Sequence, residues 1–190
     1  MLLDAGKSLL LLVDLQAGLM PKIIDTDRVT AVTKKLVSVA RDLAVPVIVT
    51  EHYPEGLKPT ISEVVNHLGE DYKPIGKKVF SCYGAGNFRE ALKRAGRSTL
   101  VLVGIETHIC VLQTALQCLE AGYSVTVVVD GVGARARFDH DAALARMERS
   151  GVNLVTWEMV AYEWMRRADT PAFKKVLPHI KSGLGIPADE

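Results

Sequence analysis

The sequence predicts an α/β fold: a three-layer, doubly wound sandwich with a six-stranded parallel sheet at its centre. Two observations predict it. Short, largely apolar runs recur along the chain, and each is followed by residues at helical spacing. Strands that are apolar on both faces and separated by helices belong to a parallel sheet covered on both sides. Right-handed crossovers then wind the helices onto the two faces in turn.

Residues 9–13 form the first strand, and Val29, Val32, Leu36, Val39 and Leu43 give the following helix its apolar stripe. Pro46-Val-Ile-Val-Thr50 is the second strand. A polar loop with Pro54, Gly56 and Pro59 comes next, and Thr60-x-x-Glu63 has the form of a capping box for a short helix. Residues 78–80 read as a weak third strand, and 87–95 as a helix stopped by Gly96. Residues 100–103 are the fourth strand. Ile109, Leu112, Leu116 and Leu119 step by three and four, so a helix follows and ends near Gly122. Residues 125–129 make a fifth strand ending at Asp130-Gly131; a helix over 139–149 stops at Gly151. Residues 152–155 are the sixth strand, before a helix starting near Glu158. Beyond Lys181 the chain contains Gly and Pro and reads as a loose tail or an oligomer arm.

With 190 residues, no internal repeat and no linker, residues 1–190 are expected to be one domain. The composition is that of an ordinary globular protein, 48% hydrophobic and 24% charged. A net charge of +1, with basic residues scattered in doublets, argues against a nucleic-acid binder. The apolar run at 8–15 contains Asp14 and is too short to span a bilayer. No small-residue cleavage site closes it, so no signal peptide and no membrane partner are expected. Cys82, Cys110 and Cys118 form no C-x-x-C motif and no even framework, which suits a reducing cytoplasm.

In doubly wound sheets, ligands bind beyond the carboxyl ends of the strands. That rule nominates Asp14 after the first strand, Lys77 and Lys78 around the third, and Cys110 after the fourth. A thiol in the first turn of a helix faces unpaired N–H groups and the positive dipole end, both of which favour thiolate. Each residue also has a plainer reading. A free cysteine is most often a small buried hydrophobe, an Asp after a strand often caps a turn, and paired lysines are usually solvated. Cys118 reads as core and Cys82 as packing close to the lysine segment. His108 faces a different direction from Cys110 on a helix and reads as a structural or pocket-lining residue. His52 follows the second strand beside Glu51, yet no D-x-H or H-x-x-x-H spacing supports a metal site. Neither G-x-G-x-x-G, a P-loop nor a G-x-S-x-G elbow is present.

Together, Val13-Asp14-Leu15-Gln16, Lys77-x-x-Phe80-Ser81 and Gly104-Ile-Glu-Thr-His-Ile-Cys110-Val111 resemble the three signatures of isochorismatase-like cysteine hydrolases. The segments 121–130 and 158–164 resemble that family too, so the likeness covers nearly the whole chain in order. The resemblance implies a six-stranded parallel sheet and an Asp-Lys-Cys triad. Cys110 would be the nucleophile, Asp14 the proton acceptor and later donor, and Lys77 the cation between them. It further implies a cis Ile105–Glu106 peptide that aims the Glu106 N–H, with the Cys110 N–H, at a developing oxyanion. Counting back from Phe80-Ser81 selects Lys77; Lys78 would point to the other side of a strand, and only one of the two can serve.

The activity so implied is hydrolysis of a small amide-like substrate, a carbon–nitrogen bond other than a peptide, through a Cys110 thioester. No cofactor is expected. Nicotinamidases of the superfamily carry a metal-binding Asp-x-His after the second strand, and residues 50–59 here lack it. The likeness is therefore to a metal-independent branch, with a nicotinamidase-like amidase as one alternative. A non-catalytic oligomeric protein that keeps the fold is another, and the charged trio argues against it. Fold analogy implies a homo-oligomer. Trp157, Tyr162 and Trp164 suit either an apolar interface or the core.

Overall fold

A computed structural model describes residues 2–185. Six strands, β1 (Ser8–Val13), β2 (Val47–His52), β3 (Ile75–Lys77), β4 (Thr99–Ile105), β5 (Ser124–Gly133) and β6 (Asn153–Val155), form one parallel sheet. Their spatial order is β3-β2-β1-β4-β5-β6. The chain winds outward from β1 to β3, returns to the other side of β1 as β4, and winds outward again. The reversal lies between β1 and β4, where Val13 stands opposite Gly104. The α/β sandwich expected from the apolar runs is the fold observed.

The apolar composition of the strands has a direct structural use. Along β1, Leu10 and Leu12 join a core with α1 (Thr26–Asp42), α7 (Trp157–Met165) and α8 (Pro171–Lys181). Leu9, Leu11 and Val13 point the other way, into a core with α4 (Gly86–Ala95) and α5 (Leu112–Glu120). All five are fully buried. At about 1.5–3 kcal/mol for each large apolar side chain removed from water, both faces of the strand stabilise the sandwich. The α1 stripe Val29, Val32, Leu36 and Val39 is likewise fully buried.

Several boundaries differ from the sequence reading, each for a local reason. The third strand is Ile75–Lys77, not 78–80. After Lys77 the backbone folds around its own lysine, whose ammonium bonds the carbonyls of Val79 and Phe80, and so leaves the ladder with β2. The capping box does not form. Thr60 gives its N–H and hydroxyl to the buried Glu51 carboxylate, and α3 (Ser62–Leu68) starts two residues later. Asp130 does not end β5; the strand runs on to Gly133, and the Asp130 carboxylate caps α7 by accepting the Trp157 N–H at 3.0 Å.

The helix after Cys110 begins with a π-helical turn over Thr107–Val111, which passes into α5 at Leu112. The α8 helix, with Pro at its start and Pro178 inside it, packs on α1 and was not expected from periodicity. Of the expected loose tail or arm, residues 186–190 lie outside the described residues. Trp157 and Trp164 are core residues, whereas Tyr162 is half exposed. Among the described residues, no helix is long and apolar enough to cross a membrane.

Candidate active site

Asp14 is the first residue beyond β1, at φ 51°, in the left-handed region that non-glycine residues seldom occupy. Its carbonyl accepts the Gln16 N–H at 2.7 Å, which closes a tight turn and takes the chain sharply off the sheet. Backbone held in a sparse region of this kind is characteristic of functional sites. Across the reversal point, Gly104 (φ 119°) lets β4 approach β1 closely: a Cβ there would lie 2.1 Å from the Val13 carbonyl oxygen. Only glycine fits this position. The following Ile105–Glu106 peptide bond is cis. Beyond it, the π turn presents Cys110.

Lys77 closes β3, with β2 between it and β1. Two strand spacings of about 4.8 Å separate it from Asp14, a gap that its four-carbon stem crosses. Its Nζ donates to Asp14 Oδ2 at 2.6 Å and to the Phe80 carbonyl at 2.9 Å, with Val79 O at 3.3 Å and Cys110 Sγ at 3.8 Å. The side chains of Lys77 and Asp14 are only 1% and 0% exposed. Asp14, Lys77 and Cys110, nominated from three separate segments, are thus brought to one point. Lys78 is not: it is exposed, and its ammonium lies 5.7 Å from the centre of the Tyr53 ring.

The electrostatics of the trio differ from those expected of a thiol at a helix start. Burial, followed by the charge of the Asp14 carboxylate, pushes the Cys110 thiol well above its ordinary range, and the nearby Lys77 ammonium only partly offsets this. These surroundings favour the neutral thiol over a free thiolate at Cys110. Burial works against the Lys77 ammonium, but the Asp14 carboxylate outweighs it and holds its pKa above the ordinary value. The three groups form one coupled set.

Further residues complete the surroundings, and of these Thr50 was not singled out from the sequence. Thr50, fully buried near the end of β2, donates its hydroxyl to Asp14 Oδ1 at 2.8 Å. Cys82 Sγ lies 3.5 Å from that hydroxyl, and burial raises its pKa to about 11. His52 pairs in register with Lys77 and packs its ring 5.2 Å from that of Phe80. Burial and the Lys77 charge lower its pKa, which favours the neutral ring. Its Nδ1 and the Ser81 hydroxyl are buried without a protein partner. Gln16 ties the loop after β2 to the site, accepting the His52 N–H and donating to the carbonyls of His52 and Lys58. No signal in the sequence marks Thr50 as a partner of Asp14 beyond its place at a strand end.

The Glu106 carboxylate is held by Arg135 Nε at 2.8 Å, while its carbonyl accepts the Ile109 and Val111 N–H groups at the start of the π turn. His108 faces Asp139 of α6 (Arg137–Arg149) at 3.7 Å, in keeping with a structural place. Cys118 is core, with its pKa raised to about 12 by burial. Among the described residues, no group of three or more His, Cys, Asp and Glu side chains is arranged to hold a metal ion. A separate cavity of about 150 Å³ lies where β5 ends, lined by Arg28, Arg137 and His140 among others. Its Arg28 is engaged by the Asp130 carbonyl and lies near Asp25.

Comparison with known proteins matches the chain to a family. The isochorismatase domain matches residues 8–159. Isochorismatase domain-containing protein 2A of Mus musculus is 40% identical over 175 residues, which are 92% of this chain and 82% of that protein. Among solved structures, the MAR1 ribonuclease from Caenorhabditis elegans superposes with a TM-score of 0.89 at 33% identity, covering 100% of both chains. The ycaC gene product of Escherichia coli, described as an octameric hydrolase of unknown specificity, gives 0.85 at 28% identity over 95% of this chain and 93% of its own. With the domain matched over most of its length and a relative of this similarity, the chain belongs to the isochorismatase family of hydrolases.

Proposed function

We propose that this protein is a cysteine hydrolase that cleaves a small amide-like substrate at a carbon–nitrogen bond other than a peptide bond. The observation that carries the reading is the sealed contact of Lys77 with Asp14 at 2.6 Å and with Cys110 Sγ at 3.8 Å. A buried carboxylate, ammonium and thiol in mutual reach are costly as packing and useful as acid–base and nucleophilic groups.

In this mechanism Asp14 takes the proton of Cys110 as sulfur attacks the substrate carbonyl. The S–C bond forms as the carbonyl π pair moves onto oxygen. The oxyanion is received by the backbone N–H groups of Glu106 and Cys110; losing one such donor typically costs on the order of 100-fold in rate. Collapse breaks the C–N bond, and Asp14 returns its proton to the departing nitrogen. Water then adds to the thioester and gives a proton to Asp14; collapse breaks the S–C bond, Asp14 returns that proton to sulfur, and the acid is released. Lys77 places a positive charge beside Asp14 and stabilises developing negative charge at sulfur. The resting thiol fits this order, because deprotonation accompanies attack and no standing thiolate is required.

The reading includes a homo-oligomer, supported by the octameric E. coli relative, and a cytoplasmic setting, which suits three unpaired cysteines. The test is release of ammonia or amine from a panel of small amides, with an RNA substrate alongside because one relative is named a ribonuclease. Turnover of an amide that disappears in Cys110→Ala supports the proposal. RNA cleavage with no amide turnover would replace it.

A further inference from the structure

We propose that Thr50 is a positioning residue whose hydroxyl serves Asp14 in both of its protonation states. This inference rests on the reading of Asp14 as the proton acceptor for Cys110. The two oxygens of Asp14 have different partners. Oδ2 faces the Lys77 ammonium, which can only donate, while Oδ1 faces the Thr50 hydroxyl, which can donate or accept. While Asp14 is ionised, Thr50 donates to Oδ1 at 2.8 Å.

When the Cys110 S–H bond breaks and its proton moves to Asp14, the acid needs an acceptor for that proton. Lys77 has no lone pair to offer. The Thr50 oxygen does, once its own hydrogen turns away, and two acceptors wait at the edge of hydrogen-bond range: the Leu12 carbonyl and Cys82 Sγ, each 3.5 Å away. A rotation of one O–H bond therefore keeps Asp14 and Thr50 hydrogen-bonded to each other before and after proton transfer. Asp14 and Thr50 are both fully buried, so an unsatisfied group there would carry its full desolvation cost.

The charged and titratable groups around Asp14 are Lys77 from β3, Cys110 from the π turn, Cys82 from the segment after β3 and His52 from β2. Of these, Lys77 can only donate, and the hydrogen bond at Oδ1 is made by Thr50. Valine at position 50 keeps the shape of threonine but offers neither role, whereas serine offers both.

Iodoacetamide provides a test that needs no identified substrate. Sulfur displaces iodide, a C–I bond breaks as an S–C bond forms, and the thiol proton goes to Asp14. Alkylation of Cys110, read by peptide mass spectrometry so that Cys82 and Cys118 are counted separately, is followed across pH in the wild type, Asp14→Asn, Thr50→Val and Thr50→Ser. We expect Asp14→Asn to slow it strongly and Thr50→Val to slow it about 10- to 100-fold, the loss of a hydrogen bond to a charged group. The acid limb of the Thr50→Val profile should move to higher pH, since the charged carboxylate has lost a donor. Thr50→Ser should restore both the rate and the limb. If Asp14→Asn slows alkylation and Thr50→Val does not, the inference about Thr50 is wrong and the role of Asp14 stands. If Asp14→Asn has no effect, both fall. If Thr50→Val folds poorly, a Thr50→Ser profile displaced as far as that of Thr50→Ala overturns the inference instead.

Discussion

Lys77 Nζ and Asp14 Oδ2 meet at 2.6 Å from opposite sides of β2, with both side chains sealed from water. Such a pair stabilises little in net terms, because desolvation of both ions offsets their attraction, but removing one partner strands the other. Lys77→Met should therefore destabilise the fold by about 3–5 kcal/mol. The double variant Asp14→Asn/Lys77→Met, which removes both charges, should recover part of that loss. Urea denaturation of the three proteins measures it.

The neighbouring lysine provides a control. Lys78 is exposed and rests against Tyr53, with no contact to Asp14 or Cys110. Lys78→Ala should change stability by no more than about 0.5 kcal/mol, the ordinary range for surface substitutions. It should also leave alkylation of Cys110 at the wild-type rate, whereas Lys77→Ala should slow it severely. Equal effects at the two positions would mean that the lysine assignment is wrong.

Gly104 sets the distance between the two halves of the site. At φ 119°, a Cβ would sit 2.1 Å from Val13 O and 2.7 Å from Val13 N, against backbone that cannot turn aside. Gly104→Ala must strain its own backbone and push β4 from β1 just before Asp14. A destabilisation of at least about 2 kcal/mol is expected, from overpacking combined with an unfavourable φ. Thermal unfolding checks the stability, and the Cys110 alkylation rate, which should fall with it, checks the site.

Much of this was legible in the sequence because of how a parallel sheet is built. Residues 9–13 had to be buried on both faces, and Asp14 directly after them had to lie at the ligand-binding end of the sheet. The spacing Lys77-x-x-Phe80 has a structural cause, since the Phe80 carbonyl accepts from the same ammonium that binds Asp14. What was not legible depends on tertiary contact. Thr50 is one more β-branched strand residue until β2 is set beside β1. The state of Cys110 was misjudged for a related reason. Local sequence shows a helix start and nominates Asp14 as the proton acceptor, but not the depth of burial that favours the thiol. Thr60 and Glu63 matched a capping motif, yet Glu51 from another segment claimed the threonine.

The three thiols also make a prediction about alkaline stability. Burial raises all of them, Cys82 to about 11 and Cys118 to about 12, with the carboxylate of Asp14 adding to the effect at Cys110 and Cys82. In the unfolded chain, by contrast, they ionise near the usual value of about 8.5. Their contribution is complete below that pH and is lost as pH rises, because the unfolded state releases protons that the native state still holds. Between about pH 9 and 11 the unfolding free energy should fall by up to about 4 kcal/mol per pH unit if all three take part. Urea midpoints at pH 8, 9 and 10 measure the slope. Cys118→Ser, remote from the acid–base groups, should make it shallower by about one third, its share as one proton of three.

The most direct test of the central claim is the acid-quenched mass of the Cys110 peptide during turnover of an amide that the protein hydrolyses. Our account predicts that, within the first turnover, this peptide gains the mass of the acyl group, that the adduct decays as the acid appears, and that Cys110→Ala releases no amine. Undiminished release of amine by Cys110→Ala, with Cys110 of the wild type unmodified throughout, would contradict it.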